Sequence, residues 1–428
     1  MRIVIRNGRV IDPAAGVDAE LDLFIADKRI IALGDAPEGF AAERELDATG
    51  RVVCPGLVDL CARLREPGLE HKATIASETA AAAAAGVTTL CCPPDTDPVI
   101  DTPAVAQLVR RRAQQAGYAR LFPLGALTQG LAGEQLSEMA ELLEAGCVGV
   151  GNVVPLGNSQ IMRRAMEYAA TQDLTVFVTA EDPWLHNGGC AHEGAVATRL
   201  GLPGIPEAAE TAAVARDLAL IEQTGVRAHF CRLSTARAVR MIARARFDGL
   251  PVTADVAAHQ LWLTEEHVGE FDSQCHVLPP LRTAYDRDGL REGLAGGGIG
   301  AVCSDHQPHE ADAKLAPFGA TEPGISGLET LLPLTLRLVR EQVLSLPEAV
   351  ARLTSQPAEI LRIDAGTLAT GAPADVCVFD PDAAWILEPR ALVSRGGNTP
   401  FAGWTLHGRV THTLLGGKVV FERRHNDA

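Results

Sequence analysis

The chain has 428 residues, 47% of them apolar, which is long enough for a barrel of alternating strands and helices with appendages and rich enough for a large core. Lys and Arg total 38 against 54 Asp and Glu, and the formal net charge of −16 argues against a nucleic-acid surface while saying nothing specific about substrate. No uninterrupted apolar run is long enough for a membrane span, and Met1 to Gly8 reads as a strand entering a turn, not as a signal peptide. The 10 cysteines form no Cys-x-x-Cys pair, and several lie in apolar runs such as Leu90-Cys91-Cys92 and Val302-Cys303. Reduced, buried thiols in a cytoplasmic protein are expected.

Residues 1–55 read as hairpins, with apolar runs at 3–5 before Asn7-Gly8 and at 21–26 and 29–33 around Asp27-Lys28. After Pro55-Gly56 short apolar runs alternate with helical segments, giving eight candidate strands at 57–64, 88–91, 121–125, 148–151, 175–179, 228–231, 252–256 and 300–303. The helices between them have readable ends. One covers 71–85 and stops at Gly86, and its alanine run marks close packing on the barrel; a second covers 103–115, with Thr102 as N-cap and Pro103 at the first position. Others run over 159–171 from Ser159, over 207–224 after Pro206, and over 236–246 after Ser234 and Thr235. Strands return at 375–380, 410–415 and 418–421, turning at Gly416-Gly417. The expected fold is α/β: a (β/α)₈ TIM barrel over residues 56–365, with a small β-sandwich side domain built from 1–55 and 366–428.

Several motifs lie where the loops of such a barrel's mouth fall: Pro55-Gly56-Leu57-Val58-Asp59, Leu64-Arg65-Glu66-Pro67-Gly68, Cys91-Cys92-Pro93-Pro94-Asp95-Thr96-Asp97-Pro98-Val99, Pro279-Pro280-Leu281-Arg282-Thr283, Ser304-Asp305-His306-Gln307-Pro308-His309 and Gly324-Ile325-Ser326-Gly327-Leu328-Glu329-Thr330. In this order, over most of the chain, they resemble a class I dihydroorotase of the amidohydrolase superfamily. The resemblance implies a zinc site that opens and closes the dihydroorotate ring in pyrimidine synthesis.

The positions that the resemblance makes metal ligands carry other residues. Residues i and i+2 of a strand share a face, so a His-x-His pair at the end of the first barrel strand holds metal; here the pair is Cys61 and Arg63. Arginine has no lone pair to give a metal. The acidic bridging ligand after the fourth strand becomes Asn152, the fifth-strand histidine becomes Thr179, and the sixth-strand histidine becomes Arg232. Two asparagines that would contact substrate correspond to Asp95 and Leu278. What remains is Arg65 for the substrate carboxylate, Asp305 as general acid/base and metal ligand, and His309 as a substrate contact.

Each survivor also has a structural reading: Arg65 as an ion-pair partner, Asp305 as the buried partner of Arg63 or Arg232, and His309 as a hydrogen-bonded histidine. Cys61 is the dissenting residue, since with Asp305 and His306 it would offer zinc a makeshift one-metal site. His186, Cys190 and His192 lie in a Gly-rich loop without metal-ligand spacing, and His229 and His259 read as core or rim residues. The expectation is a protein without zinc and without catalysis, similar to the non-catalytic dihydroorotase-like chain that some bacteria assemble with the aspartate carbamoyltransferase catalytic chain in a dodecameric complex. The rival expectations are a cyclic amidohydrolase, dihydroorotase or hydantoinase-like, with a rebuilt metal site, and a ligand sensor that uses Arg63, Arg65 and Arg232.

Overall fold

The computed structural model describes residues 2–423. Eight parallel strands form the barrel: Leu57–Asp59, Val87–Cys92, Arg120–Pro123 continued by Gly125–Ala126, Val150–Asn152, Val176–Val178, Ala228–Phe230, Val252–Ala257 and Ala301–Cys303. Strands covered on both faces read as unbroken apolar runs, which is why all eight fall within or overlap the expected segments, although the first ends at Asp59 and leaves Cys61 and Arg63 beyond it. The third strand breaks at Leu124, so Arg120–Pro123 pairs with the second strand and Gly125–Ala126 with the fourth. The barrel closes just beyond the first and eighth strands. There Ala62 bridges His306, the Arg63 N–H donates to the His306 carbonyl (2.9 Å), and the His306 N–H donates to the Cys61 carbonyl (3.1 Å). This seam sets Cys61 and Arg63 beside Asp305, although 242 residues separate Arg63 from it.

Helix ends follow local chemistry. The helix Ser159–Thr171 is capped by Asn158, whose side chain accepts from the Gln160 and Ile161 N–H groups, and Ala236–Phe247 is capped by Thr235, with Asp286 accepting from the Ala236 N–H (3.1 Å). Pro103–Ala116 and Glu207–Thr224 lie where the sequence places them. The helix expected from residue 71 begins only at Ile75, because Thr74 and Ser77 close a capping box that fixes the first turn there.

The side domain joins both ends of the chain. Strands Ile3–Asp12, Val17–Ala26, Arg29–Leu33, Arg44–Asp47 and Val52–Pro55 combine with Val376–Ile386, Thr405–Leu415 and Lys418–Glu422 in one eight-stranded sheet. Val52–Pro55 is the link, parallel to Ile3–Asp12 and antiparallel to Val376–Ile386. The sheet encloses a separate core in which Ile3, Ile5 and Ile25 from its first half pack with Val376, Val378 and Leu414 from its second. Val376–Ile386 and Thr405–Leu415 are longer than the apolar runs at 375–380 and 410–415 suggested, because their far ends leave that core and reach the barrel helix Leu328–Arg340, where Leu336 abuts Gly408. Arg120 ties barrel to side domain through two hydrogen bonds to Asp375, at 2.9 and 3.0 Å. The cysteines are all unpaired, Cys231 half-buried and the rest buried. Among the described residues no helix is long and apolar enough to cross a membrane.

Gly86 lies where barrel and sheet approach closely. It follows the helix Ile75–Ala84 with φ +81°, and a β-carbon there would lie 2.5 Å from the Cys377 sulfur. Gly86→Ala should lower stability by about 2 kcal/mol or more, from left-handed strain plus overlap in a packed core. An unchanged urea midpoint would show that the junction has room to give.

Candidate active site

The mouth of the barrel opens over the C-terminal ends of the strands into a cavity of about 510 Å³. At its floor lies a compact set of charges. Arg63 Nε donates to Asp95 Oδ2 (2.6 Å) and its Nη1 to Asp305 Oδ1 (3.1 Å). From the opposite wall Arg232 Nη1 donates to the Cys61 sulfur (3.1 Å), with its Nε 3.6 Å from the same Asp305 oxygen. The Cys61 thiol completes the ring by facing Asp305 Oδ1 at 3.5 Å, and Gln307 Nε2 reaches the other Asp305 oxygen at 3.3 Å.

Two guanidinium cations and two carboxylates therefore form a neutral cluster, buried at Asp305 (1% exposed) and Arg232 (6%) and half-buried at Arg63 and Asp95. Burial works against the Arg63 charge, but Asp95, Cys61 and Asp305 outweigh it and hold the pKa above the ordinary arginine value. Burial pushes the Cys61 thiol well up against the opposing pull of Arg232, so the sulfur is protonated and accepts from Arg232 while its hydrogen points at Asp305. Burial also raises the Asp95 pKa, yet Arg63 more than reverses this and leaves Asp95 below the usual carboxylate range. Asp95 thus has its charge compensated from within by Arg63.

These donors do not fit zinc. Arg63 and Arg232 fill the space around Asp305 with cations, and a guanidinium has no lone pair to give a metal. His306 faces elsewhere: its Nδ1 accepts from the Gly327 N–H (3.1 Å), so its Nε2 carries the proton and donates to Glu78 (2.8 Å). With both nitrogens engaged it cannot join Cys61 and Asp305, which removes the one-metal site considered from the sequence. Asn152 ends the fourth strand and turns to Thr128, donating from Nδ2 at 3.2 Å. Thr179 lines the cavity half-buried, as does Leu278 where an asparagine would hydrogen-bond. Among the described residues no three His, Cys, Asp or Glu side chains are arranged to hold a metal.

The remaining mouth residues depart from their expected partners. Among the described residues Arg65 has no ion-pair partner; its Nε donates to the Pro308 carbonyl (3.1 Å), and its Nη2 lies 3.0 Å from His309 Nε2. Arg63 already occupies Asp95, which acts on Arg65 only at longer range. Burial, reinforced by Arg63, lowers the Arg65 pKa to about 10, which still leaves it charged at neutral pH. His309 accepts from Lys72 at Nδ1 (3.2 Å) and lies 3.0 Å from the Pro323 carbonyl at Nε2. Burial, Arg65 and Lys72 push its pKa to about 3, so it is neutral, as a hydrogen-bonded structural histidine should be. His186 pairs with Glu181 (2.6 Å), and His229 is buried between Asp255 and Thr253.

Four carboxylates that the sequence reading did not single out as site residues hold the mouth's backbone. Glu210 accepts from the Ser234 N–H (3.0 Å) and the Thr235 N–H (3.0 Å) and from both hydroxyls, Asp255 accepts from the Arg232 N–H, Asp59 accepts from the Ser304 N–H (2.9 Å) and hydroxyl, and Glu78 accepts from the Ser394 hydroxyl (2.6 Å) and the Arg395 N–H (3.2 Å). A lone acid between alanine and valine in Ala254-Asp255-Val256 is the signal that would have found Asp255; for Glu210 there is none in the sequence. Arg65, Arg232 and Asp305 have φ of +63°, +52° and +44°. This left-handed backbone is unusual for such residues and persists only where the surroundings fix it.

A barrel mouth of this form, with a sheet domain made from both chain ends, is the architecture of an amidohydrolase. The model for dihydro-orotase-like proteins matches residues 50–238, and that for an amidohydrolase family matches 324–421. The chain is 54% identical over 423 residues to a dihydroorotase-like protein of Pseudomonas aeruginosa, covering 99% of this chain and 100% of that one. It is 46% identical over 422 residues to a dihydroorotase of Syntrophotalea carbinolica, covering 98% and 99%. In fold it is similar to the L-hydantoinase (dihydropyrimidinase) from Arthrobacter aurescens, with a TM-score of 0.88 at 23% identity over 98% of this chain and 96% of that one. The chain belongs to the dihydroorotase-like family of amidohydrolases.

Removing Asp305 leaves Arg232 and Arg63 buried against each other. Asp305→Ala should cost about 3–5 kcal/mol in urea unfolding, the usual loss when one member of a buried charge set is removed; a change of a few tenths would mean that the cluster is solvated. Asp59 gives a pH signature. Burial raises its pKa to about 7 in spite of the Ser304 hydrogen bonds. A carboxyl with a folded pKa above its unfolded one binds more protons when folded, so its contribution to stability is complete below about pH 4 and is lost as the pH rises to about 7. Asp59→Asn mimics the protonated form, since an amide can donate to the Ser304 hydroxyl. Its stability relative to wild type should improve by about 1–4 kcal/mol between pH 4 and 8, and a pH-independent difference would refute the assignment.

Proposed function

We propose that this chain is a catalytically inactive dihydroorotase homologue that serves as a non-catalytic subunit of aspartate carbamoyltransferase, supporting that enzyme's assembly and activity in pyrimidine biosynthesis. One observation carries the first half: Arg63 and Arg232 converge on Asp305 and Cys61, where ring hydrolysis by this family's chemistry needs metal ligands. Opening a cyclic amide requires a water activated at neutral pH and a carbonyl polarised as the oxyanion forms. Both oxygens of the would-be general base, Asp305, are already engaged, one by Arg63 and the other by Gln307. Nearby His309 is neutral but has Lys72 on one nitrogen and the Pro323 carbonyl beside the other.

The second half is supported by what the chain keeps. The barrel is intact, its mouth loops are fixed by buried carboxylates, and it has a side domain and an outer helix layer able to face a partner. A subunit needs its scaffold and surface, whereas only catalysis needs the ligands. The transferase should meet the barrel helices or the side domain, away from Arg63, over at least ~1,000 Å².

The purified chain should show no turnover in either direction of the dihydroorotase reaction, and mixing it with the transferase catalytic chain should give a joint species by light scattering. Turnover abolished by Asp305→Ala would overturn the inactive reading. Separate elution at micromolar concentration, with transferase activity unaffected by loss of this chain in its host, would overturn the subunit reading. A sensor role through Arg65 would then take its place.

A further inference from the structure

At the opposite end of the barrel from the mouth, a second cavity of about 510 Å³ lies between the N-terminal ends of strands five to eight and the helices beneath them. Four arginines line it. Arg227 immediately precedes the strand Ala228–Phe230, Arg246 ends the helix Ala236–Phe247, Arg352 lies on Leu346–Leu353, and Arg362 caps the C-terminus of Ser355–Leu361.

The charge around this cavity does not balance. Arg227 and Arg362 share one carboxylate, Asp173, at 2.6 and 2.8 Å, and Asp173 is 66% exposed. Arg246 donates to the Gly297 carbonyl and Arg352 to the Leu294 carbonyl (2.7 Å) and to Gln356; among the described residues neither has a carboxylate within 4.0 Å. Glu359 is the one acid in the lining. Arg352 is only 7% exposed, and its Nε–H is buried without an acceptor, as is that of Arg227. Burial lowers the Arg352 pKa, only partly opposed by Glu348 one helical turn away and reinforced by Arg246. In a chain of net charge −16, four guanidinium groups around one concavity with two acids between them are a local reversal of sign.

We propose that this cavity binds a small phosphate-bearing anion, of the size of a nucleoside monophosphate. The guanidinium fork matches phosphate oxygens in pairs, and the volume is within the range that encloses a small ligand. A phosphomonoester dianion would supply the charge that Arg246 and Arg352 lack. The site is separate from the barrel mouth and does not depend on whether the mouth is catalytic.

Calorimetry of the full chain in 150 mM chloride with inorganic pyrophosphate, AMP and citrate tests it, together with the melting temperature for each. Pyrophosphate or AMP should bind and raise the melting temperature, more tightly than citrate. The double variant Arg227→Gln/Arg246→Gln, which changes rim residues and spares buried Arg352, should weaken binding by about tenfold or more, whereas Arg65→Gln should leave it unchanged. The proposal is overturned by absence of binding at millimolar anion, by citrate binding as tightly as the phosphates, by equal affinity in the double variant, or by loss of binding in Arg65→Gln.

Discussion

The mouth of this barrel depends on one buried charge arrangement, the pincer of Arg63 and Arg232 on Asp305. Each ion alone would be expensive to bury, and the three are tolerable together only because Asp95 balances the second cation and Cys61 offers a polarisable acceptor between the arginines. The arrangement exists because the barrel closes there. Backbone hydrogen bonds across the Cys61–Arg63 and His306 seam put the first strand's side chains against the eighth strand's aspartate. A metal ion at this place would be a concentrated positive charge shared by anionic ligands, and the guanidinium pair presents positive charge to the same aspartate without any coordination chemistry.

That exchange accounts for a mouth which keeps its shape. Glu210, Asp255, Asp59 and Glu78 pin the mouth's backbone by accepting its N–H groups, and Asn398 holds the loop after the eighth strand through the His309 N–H (2.8 Å) and the Gln307 carbonyl (2.9 Å). These anchors act on the backbone, so side chains at the centre can change without collapse of the loops. The left-handed conformations at Arg65, Arg232 and Asp305 persist for the same reason.

How much of this was legible follows from the range of the interactions. The eight barrel strands could be read because each is a short apolar run covered on both faces, and the helix ends because capping is decided within four residues. The side-domain strands came out short, since the sequence shows their apolar core segments but not the ends that reach Leu336. The helix at Ile75 starts later than its sequence suggests, because His71 to Ala73 are compatible with a helical turn and only the Thr74–Ser77 capping box fixes the start. In the mouth, the identity of the substituted positions was readable from the motifs. Their partners were not: Arg63 meets Asp95 across 32 residues, and His306 meets Glu78 across 228. Only the closed barrel chooses among so many possible ion pairs, which is why the sequence left open an ion pair for Arg65 and a place for His306 beside Cys61 and Asp305, where the fold gives Arg65 the Pro308 carbonyl and His306 the Glu78 carboxylate.

The central claim is that arginines stand in the place of a metal, and zinc retention tests it most directly. The full-length protein is equilibrated with excess zinc, passed through a desalting column, and assayed for metal per chain. The account predicts much less than one zinc per chain, unchanged by Cys61→Ala. One or more tightly held zinc ions per chain, lost in Cys61→Ala or Asp305→Ala, would contradict it, because the guanidinium pincer would then have to open to admit the ion.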